Sequence, residues 1–306
     1  ANAAGAFAEW AQHTPQPASR ADRFVRAARL GRRAGDAGLP VEAWLCAALE
    51  AQPAHANAWL DLTEWLAEAG RDEDAFRAAS EGAACVDVPQ VTAALEVRRA
   101  RMLEARGDEG SACRAYQRAA KLDAGAVEAA FAAARLLRSS GAWSEAAACL
   151  SEFADRHHDA AARAALLIER GRLLAGPLED VPGALAAYRG ARELAPDRLD
   201  VREALGGLLA LLPDSREAAQ AELCAVLRAE PLHTTAVRHL ARLLRACGRA
   251  REAGSGMALL RALGATAPGE RSAAPETLGF AIAGERLASE TGEAMRAAIL
   301  AVAGDW

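Results

Sequence analysis

The chain is poor in aromatics, nearly devoid of lysine, sparing with proline and empty of catalytic signatures, and each shortage removes a class of explanation. Phe, Trp and Tyr make up 5% of the residues, whereas 52% are hydrophobic. Most of the apolar content is therefore Ala, which builds cores by letting backbones approach and has the best helix propensity. The 12 prolines fall mostly where helical patterns stop. An all-α chain is expected. A transmembrane helix needs roughly 18 apolar residues in a row. The longest greasy stretch, Leu205 to Leu212, holds two glycines and stops at Pro213, so no membrane insertion is expected.

Lys121 is the only lysine among 36 basic residues. Beside so much Ala and Gly, this Arg-for-Lys bias suggests high-GC coding and a bacterial source. A net charge of -5 and a pI near 5.8 supply no basic field for nucleic acid or an anionic membrane. None of the six cysteines (Cys46, Cys85, Cys113, Cys149, Cys224, Cys247) forms a C-x-x-C pair, and each lies in a predicted helix among apolar neighbours. They read as buried, reduced thiols, which favours the cytoplasm, with disulfides or a metal site as the alternatives. The chain opens on Ala1-Asn2 without Met, as expected of a piece of a longer protein.

No P-loop, G-x-S-x-G, H-E-x-x-H or Gly-rich dinucleotide fingerprint occurs. His157-His158, between Asp155 and Asp159, is the one cluster of ligand-type residues. Neighbours on a helix point about 100° apart, so the cluster reads as a polar loop rather than a metal site. Gly206-Gly207 inside a helical pattern reads as a close packing point. Trp10, Trp44, Trp59, Trp65 and Trp143 read as interhelical packing. A non-catalytic protein with no cofactor, no metal and no small-molecule substrate is expected.

What the sequence does have is self-similarity. The segments ARLGRRAG (28–35), ARMLEARG (100–107), AARLLRSSG (133–141) and LARLLRACG (240–248) each carry a small residue, a basic one and apolar residues. Each closes on Gly seven residues after the small one. With Gly70, the closing glycines stand at 35, 70, 107, 141 and 248. A second ladder runs through Ala75, Ala112, Ala146, Ala184, Ala219 and Ala253, and a third through Pro53, Pro196 and Pro231. Heptad coiled coils are excluded, because Gly and Pro interrupt the pattern too often.

This spacing resembles the tetratricopeptide repeat, with its small residue at repeat position 8, Gly at 15, Ala at 20, a large residue at 24, Ala at 27 and Pro at 32. The best unit, 93–126, carries Ala100, Gly107, Ala112, Tyr116 and Ala119 at those places. Unit 56–92 has Trp59 at position 4, but Ala79 replaces the large residue. Units 164–198 and 199–233 depart further: Leu178 and Pro213 replace the turn Gly, with one extra residue each. The resemblance implies a right-handed α-solenoid of stacked helix–turn–helix repeats, since one hairpin cannot bury its apolar face alone. The expected organisation is a helical remnant and linker over 1–18, about seven repeats over 19–264 (two degenerate), a linker over 265–275, and helices over 276–306 that cap the array.

In this family helix A of each unit lines the concave groove through repeat positions 2, 5, 9, 12 and 13. Position 9 is occupied here by Arg29, Glu64, Arg101, Arg135, Arg172, Gly207 and Arg242. Neighbouring groove positions add Arg32, Arg33, Arg138, Arg238 and Arg245. An arginine-lined groove for another protein or an acidic peptide is therefore expected. A solvated face of good helix formers is the plain alternative. The family's carboxylate clamp also uses Asn, and only Asn2 and Asn57 are present, but Arg alone can grip carboxylates in bidentate fashion. Charge is banded: 19–35 has six Arg against Asp22, whereas 56–92 has eight acids against Arg71 and Arg77, a pattern suited to a partner of mixed charge. The expected function is an interaction scaffold or adaptor. The rivals are a regulatory or targeting arm of a larger enzyme, and an RNA-binding helical repeat. The second is opposed by the net charge and by the lack of base-stacking aromatics at groove positions.

Overall fold

The computed structural model describes residues 2–35 and 38–265, and every regular element among them is helical. It divides into two compact units, 1–166 and 167–306. In the first, α1 (Asn2–Gln12) is followed by four helix pairs. These are α2 (Pro17–Ala34) with α3 (Val41–Ala51), α4 (Ala56–Glu68) with α5 (Asp72–Cys85), α6 (Pro89–Ala105) with α7 (Glu109–Leu122), and α8 (Val127–Ser139) with α9 (Trp143–Arg156). Each helix packs on the next, and α2 also touches α4, α4 touches α6, and α7 touches α9. Contacts between alternate helices are what stacked hairpins produce. The boundary between units falls within α10 (Ala160–Ala175). The second unit continues with α11 (Val181–Leu194), α12 (Leu199–Leu209), α13 (Arg216–Ala229), α14 (Thr234–Ala246) and α15 (Ala250–Ala262), with α12 packed on both α13 and α14. The expected linker beyond Ala265 and the capping helices of 276–306 lie outside the described residues.

The repeat positions explain the packing. The position-8 residues Ala28, Thr63, Ala100, Ala134, Gly171, Gly206 and Ala241 are all buried, as is the whole ladder Ala75, Ala112, Ala146, Ala184, Ala219 and Ala253. Two of the sites lack room for even a methyl group. A Cβ on Gly171 would lie 2.8 Å from the Tyr188 ring, and one on Gly206 would lie 2.8 Å from Leu223 Cγ. Gly207 is tight as well, with His239 Nε2 3.1 Å from where its Cβ would stand, so the Gly206-Gly207 pair is a packing point.

The turn glycines end helix A as expected. Gly35, Gly70, Gly107, Gly141 and Gly248 all have φ between 63° and 79°, the left-handed region. After four of them the next residue closes a six-residue loop back to the helix: Arg71 N–H to Leu66 O, Asp108 to Leu103, Ala142 to Leu137 and Arg249 to Leu244, at 2.8–3.0 Å. Leu103, Leu137 and Leu244, at position 11, are buried at the same time, so one residue per hairpin both ends the helix and fills the core. In the unit lacking the glycine, the left-handed residue is Glu179 (φ 52°), one place after the expected Leu178, because the extra residue lengthens the turn. At the other irregular turn a 3-10 segment, Pro213–Ser215, makes the connection.

Two sequence expectations fail in part. Cys113, Cys149 and Cys224 are buried, and burial pushes the Cys149 thiol up to about 12, but Cys46, Cys85 and Cys247 are exposed. In a helix with Ala on every face, apolar neighbours do not mark the buried side. Trp59 is buried and donates Nε1–H to Pro53 O (2.7 Å), whereas Trp10 and Trp143 are exposed. The His157-His158 cluster is indeed in a loop, where His157 Nδ1 accepts the Asp159 N–H (3.1 Å).

Candidate functional site

In the first unit, α2, α4, α6 and α8 present the position-9 row. Arg29, Arg101 and Arg135 are 48, 63 and 56% exposed at the side chain, yet each meets a carboxylate on the neighbouring helix A. Arg29 reaches Asp61 at 2.5 Å, Arg101 reaches Glu128 at 3.4 Å, and Arg135 reaches Glu104 at 2.6 Å. Arg32 bridges to Glu64 (3.3 Å) and Glu68 (2.7 Å). Glu64, the one acid in the row, sits between basic helices, 3.3 Å from Arg32 on α2 and 3.7 Å from Arg98 on α6. The charge bands of the sequence thus face one another: α4 is acidic where α2 and α6 are basic. Glu104 is also held by the Tyr116 hydroxyl (3.2 Å), which burial, the Glu104 charge and that bond keep protonated above the usual phenol range.

The acids Asp61, Glu64, Glu68, Glu104 and Glu128 were not singled out as site residues in the sequence. Glu64, Glu68, Glu104 and Glu128 occupy repeat positions 9, 13, 12 and 2, which belong to the same groove set as the arginines, and the banding was the signal that could have found them. The face is a lattice of alternating signs, with Arg29, Arg101 and Arg135 about half exposed or more and Arg32 and Arg98 more covered. The Arg101–Glu128 and Arg135–Glu104 pairs contribute about 0–1 kcal/mol each, so a competing carboxylate displaces them at little cost, whereas Asp61 is buried and holds Arg29 more firmly.

In the second unit Arg172 on α10 pairs with Glu169 and lies 3.9 Å from Asp200 of α12. Arg242 and Arg245 are exposed on α14, and Arg238 donates to Ala265 O (2.6 Å). Arg138 is exposed on α8 of the first unit. Position 9 of α12 is Gly207, and the space its missing side chain leaves is taken by His239, which lies 3.3 Å from Glu203.

Arg118, on the second helix of its pair (α7), has a structural task. Its guanidinium is 2.8 Å from Glu96, whose side chain is 3% exposed and also faces Arg99 at 3.2 Å. A buried carboxylate stripped of its cation is costly, so replacing Arg118 disturbs the core as well as the surface. The second unit holds a similar cluster, Glu222 between Arg192 and Arg202. Among the described residues no group of three or more His, Cys, Asp or Glu could hold a metal, and no helix is long and apolar enough to cross a membrane.

No family model and no curated protein matches the chain. Solved structures do. The C-terminal part of a TPR repeat-containing protein from Cytophaga hutchinsonii aligns with a TM-score of 0.53 at 12% identity, over 82% of this chain and 96% of that one. Yeast Tom70 aligns with a TM-score of 0.43 at 15% identity, over 88% of this chain and 55% of its own. YrrB, a TPR protein with an unusual peptide-binding site, aligns with a TM-score of 0.45 at 20% identity, over 55% and 84%. At such identities a likeness speaks to fold, and only the first is close enough to carry weight. Left-handed turn glycines, buried small residues at positions 8 and 20, and that alignment together identify the fold as that of the tetratricopeptide-repeat proteins.

Proposed function

We propose that this protein is an interaction scaffold whose helix-A face holds a segment of another protein, with the arginine row as the contact. The observation that carries the reading is the row's state. Arg29, Arg101 and Arg135 stand on separate helices of one unit, about half exposed or more, and the carboxylates that aim Arg101 and Arg135 cost little to replace. Pre-orientation by Asp61, Glu128 and Glu104 lowers the side-chain entropy that a partner must remove. A partner carboxylate receives charge-assisted, bidentate hydrogen bonds. Because acids alternate with the arginines, a partner of mixed charge, or an acidic peptide with spaced carboxylates, fits better than a uniformly acidic one. Arg172, Arg238, Arg242 and Arg245 offer the same chemistry in the second unit. Hydrogen exchange with and without a partner captured by the full chain tests the reading. Slowed exchange in α2, α4, α6 and α8, with α3, α5, α7 and α9 unchanged, supports it; protection confined to the second helices of the pairs overturns it.

A further inference from the structure

A separate surface lies on α1 and α2. Trp10 is 55% exposed, the most open aromatic among the described residues. It is not spent on packing, because α1 sits on α2 through buried Ala4, Ala8 and Ala11. Instead one face of the indole is covered by the Arg23 guanidinium, 3.7 Å from the ring centroid. Arg23 is itself fixed, donating to Thr14 Oγ1, while the buried Thr14 hydroxyl donates to Trp10 O (2.7 Å). Beside the indole lies Phe7, with ring centroids 5.9 Å apart, and Arg26 stands over that second ring at 5.0 Å. Arg20 donates Nε–H to Thr14 O (2.9 Å), which completes the brace between the two helices.

Two aromatic rings and two guanidinium groups are thus held together, with part of the indole surface open. Charge on this surface is lopsided: Arg20, Arg23 and Arg26 stand against Glu9 and Asp22, the latter also 3.1 Å from His55 Nε2. We propose that this aromatic–arginine patch docks an acidic segment of another protein that carries an aromatic or aliphatic side chain. The apolar side chain covers the open indole surface next to Phe7, and flanking carboxylates pair with Arg23 and Arg26. Trp and Arg, rigid or braced before contact, are the residue types that dominate binding hot spots. The positive patch in a chain of net charge -5 fixes the sign of the partner.

The site is distinct from the helix-A row, and the difference between a Phe and a Ser peptide of equal charge isolates it from that row. The probe is a synthetic Glu-rich peptide with a single Phe, titrated into the full chain by calorimetry. A matched peptide with Ser for Phe, and a short oligothymidylate, are titrated in parallel. Binding of the Phe peptide, weakened about tenfold or more by Trp10→Ala and by Arg26→Ala and unchanged by Arg114→Glu, is the expected result. Arg26→Ala keeps the Arg23–Thr14 brace, so its effect stands even if Trp10→Ala loosens α1. Equal affinity for the Phe and Ser peptides overturns the proposal, as does Trp10-dependent binding of the oligonucleotide alone. Concentration-dependent dimerisation abolished by Trp10→Ala, without peptide binding, gives the surface to a second copy and also overturns it.

Discussion

Replacing Gly171 by Ala tests the argument that position 8 is small because helix B approaches there. In α10 the added Cβ would lie 2.8–2.9 Å from three atoms of the Tyr188 ring, where ordinary contacts begin near 3.4 Å. Tyr188 is 3% exposed and burial has pushed its phenol pKa up to about 12, so the ring cannot swing into solvent without losing its packing. Overpacking of this kind costs about 1–3 kcal/mol, while Ala in place of a helical Gly returns about 1 kcal/mol. A net loss of about 1 kcal/mol follows. The same substitution at Gly254 in α15, with no heavy atom within 4 Å of its Cβ and no positive φ, meets no clash and should gain about 0.5–1 kcal/mol. The two variants of one unit should therefore differ by about 2 kcal/mol, in opposite directions from the parent. Urea melts followed by far-UV circular dichroism measure this, with the m-value checked because repeat arrays can depart from two-state behaviour. Adding Tyr188→Leu to Gly171→Ala should cost less than the two changes summed, because the smaller side chain relieves the clash. Gly171→Ala as stable as Gly254→Ala would refute the close-approach argument.

Other expectations follow from the turns and the core. Gly107→Ala, at φ 79° with open space around the new methyl, should cost about 1–2 kcal/mol by backbone strain alone, and Glu179→Gly should stabilise its turn, both read from thermal melts. Leu137→Ala should cost about 2–5 kcal/mol; a loss below about 0.5 kcal/mol would show the repeat register to be wrong. The Asp108 carboxylate caps α7 by accepting the Ser111 N–H (3.0 Å), and that bond, then the Ser111 side chain, lowers its pKa. A depressed pKa means stability that is present above the unfolded value, about 3.9, and lost as pH falls through the lower folded value. Asp108→Asn should keep the cap but flatten that part of the pH–stability curve, and an unchanged curve would count against the assignment.

The repeat was legible because it depends on backbone geometry that few residues can supply. A left-handed helix end selects Gly, so Gly35, Gly70, Gly107, Gly141 and Gly248 could be read off directly. Where a turn is longer, selection relaxes, and the left-handed residue became Glu179. Side-chain burial was less legible. Ala does not distinguish the faces of an Ala-rich helix, which is why Cys46, Cys85 and Cys247 were misplaced. Trp10 was misplaced for a different reason: size suggests burial, but a braced guanidinium gives an exposed indole a partner. The arginine row was visible as composition at position 9, but its carboxylate partners lie 27–32 residues away in sequence, one repeat along. Register between repeats, which sets those distances, comes from packing. The division into two compact units falls within α10, at the start of the first degenerate repeat, 164–198.

The most direct test of the scaffold reading is the affinity of a partner, captured with the full chain, for three forms of the protein: wild type, Arg135→Glu and Arg114→Glu. Arg135 is in the row, held by Glu104; Arg114 is exposed on α7, where it donates to the Ser111 hydroxyl, and serves as the control. Arg135→Glu should weaken binding about tenfold or more, a loss of about 1.4 kcal/mol that shrinks as salt rises, while Arg114→Glu leaves affinity within about twofold. Equal affinity of all three forms at low salt would contradict the account and leave the row as a lattice of internal ion pairs.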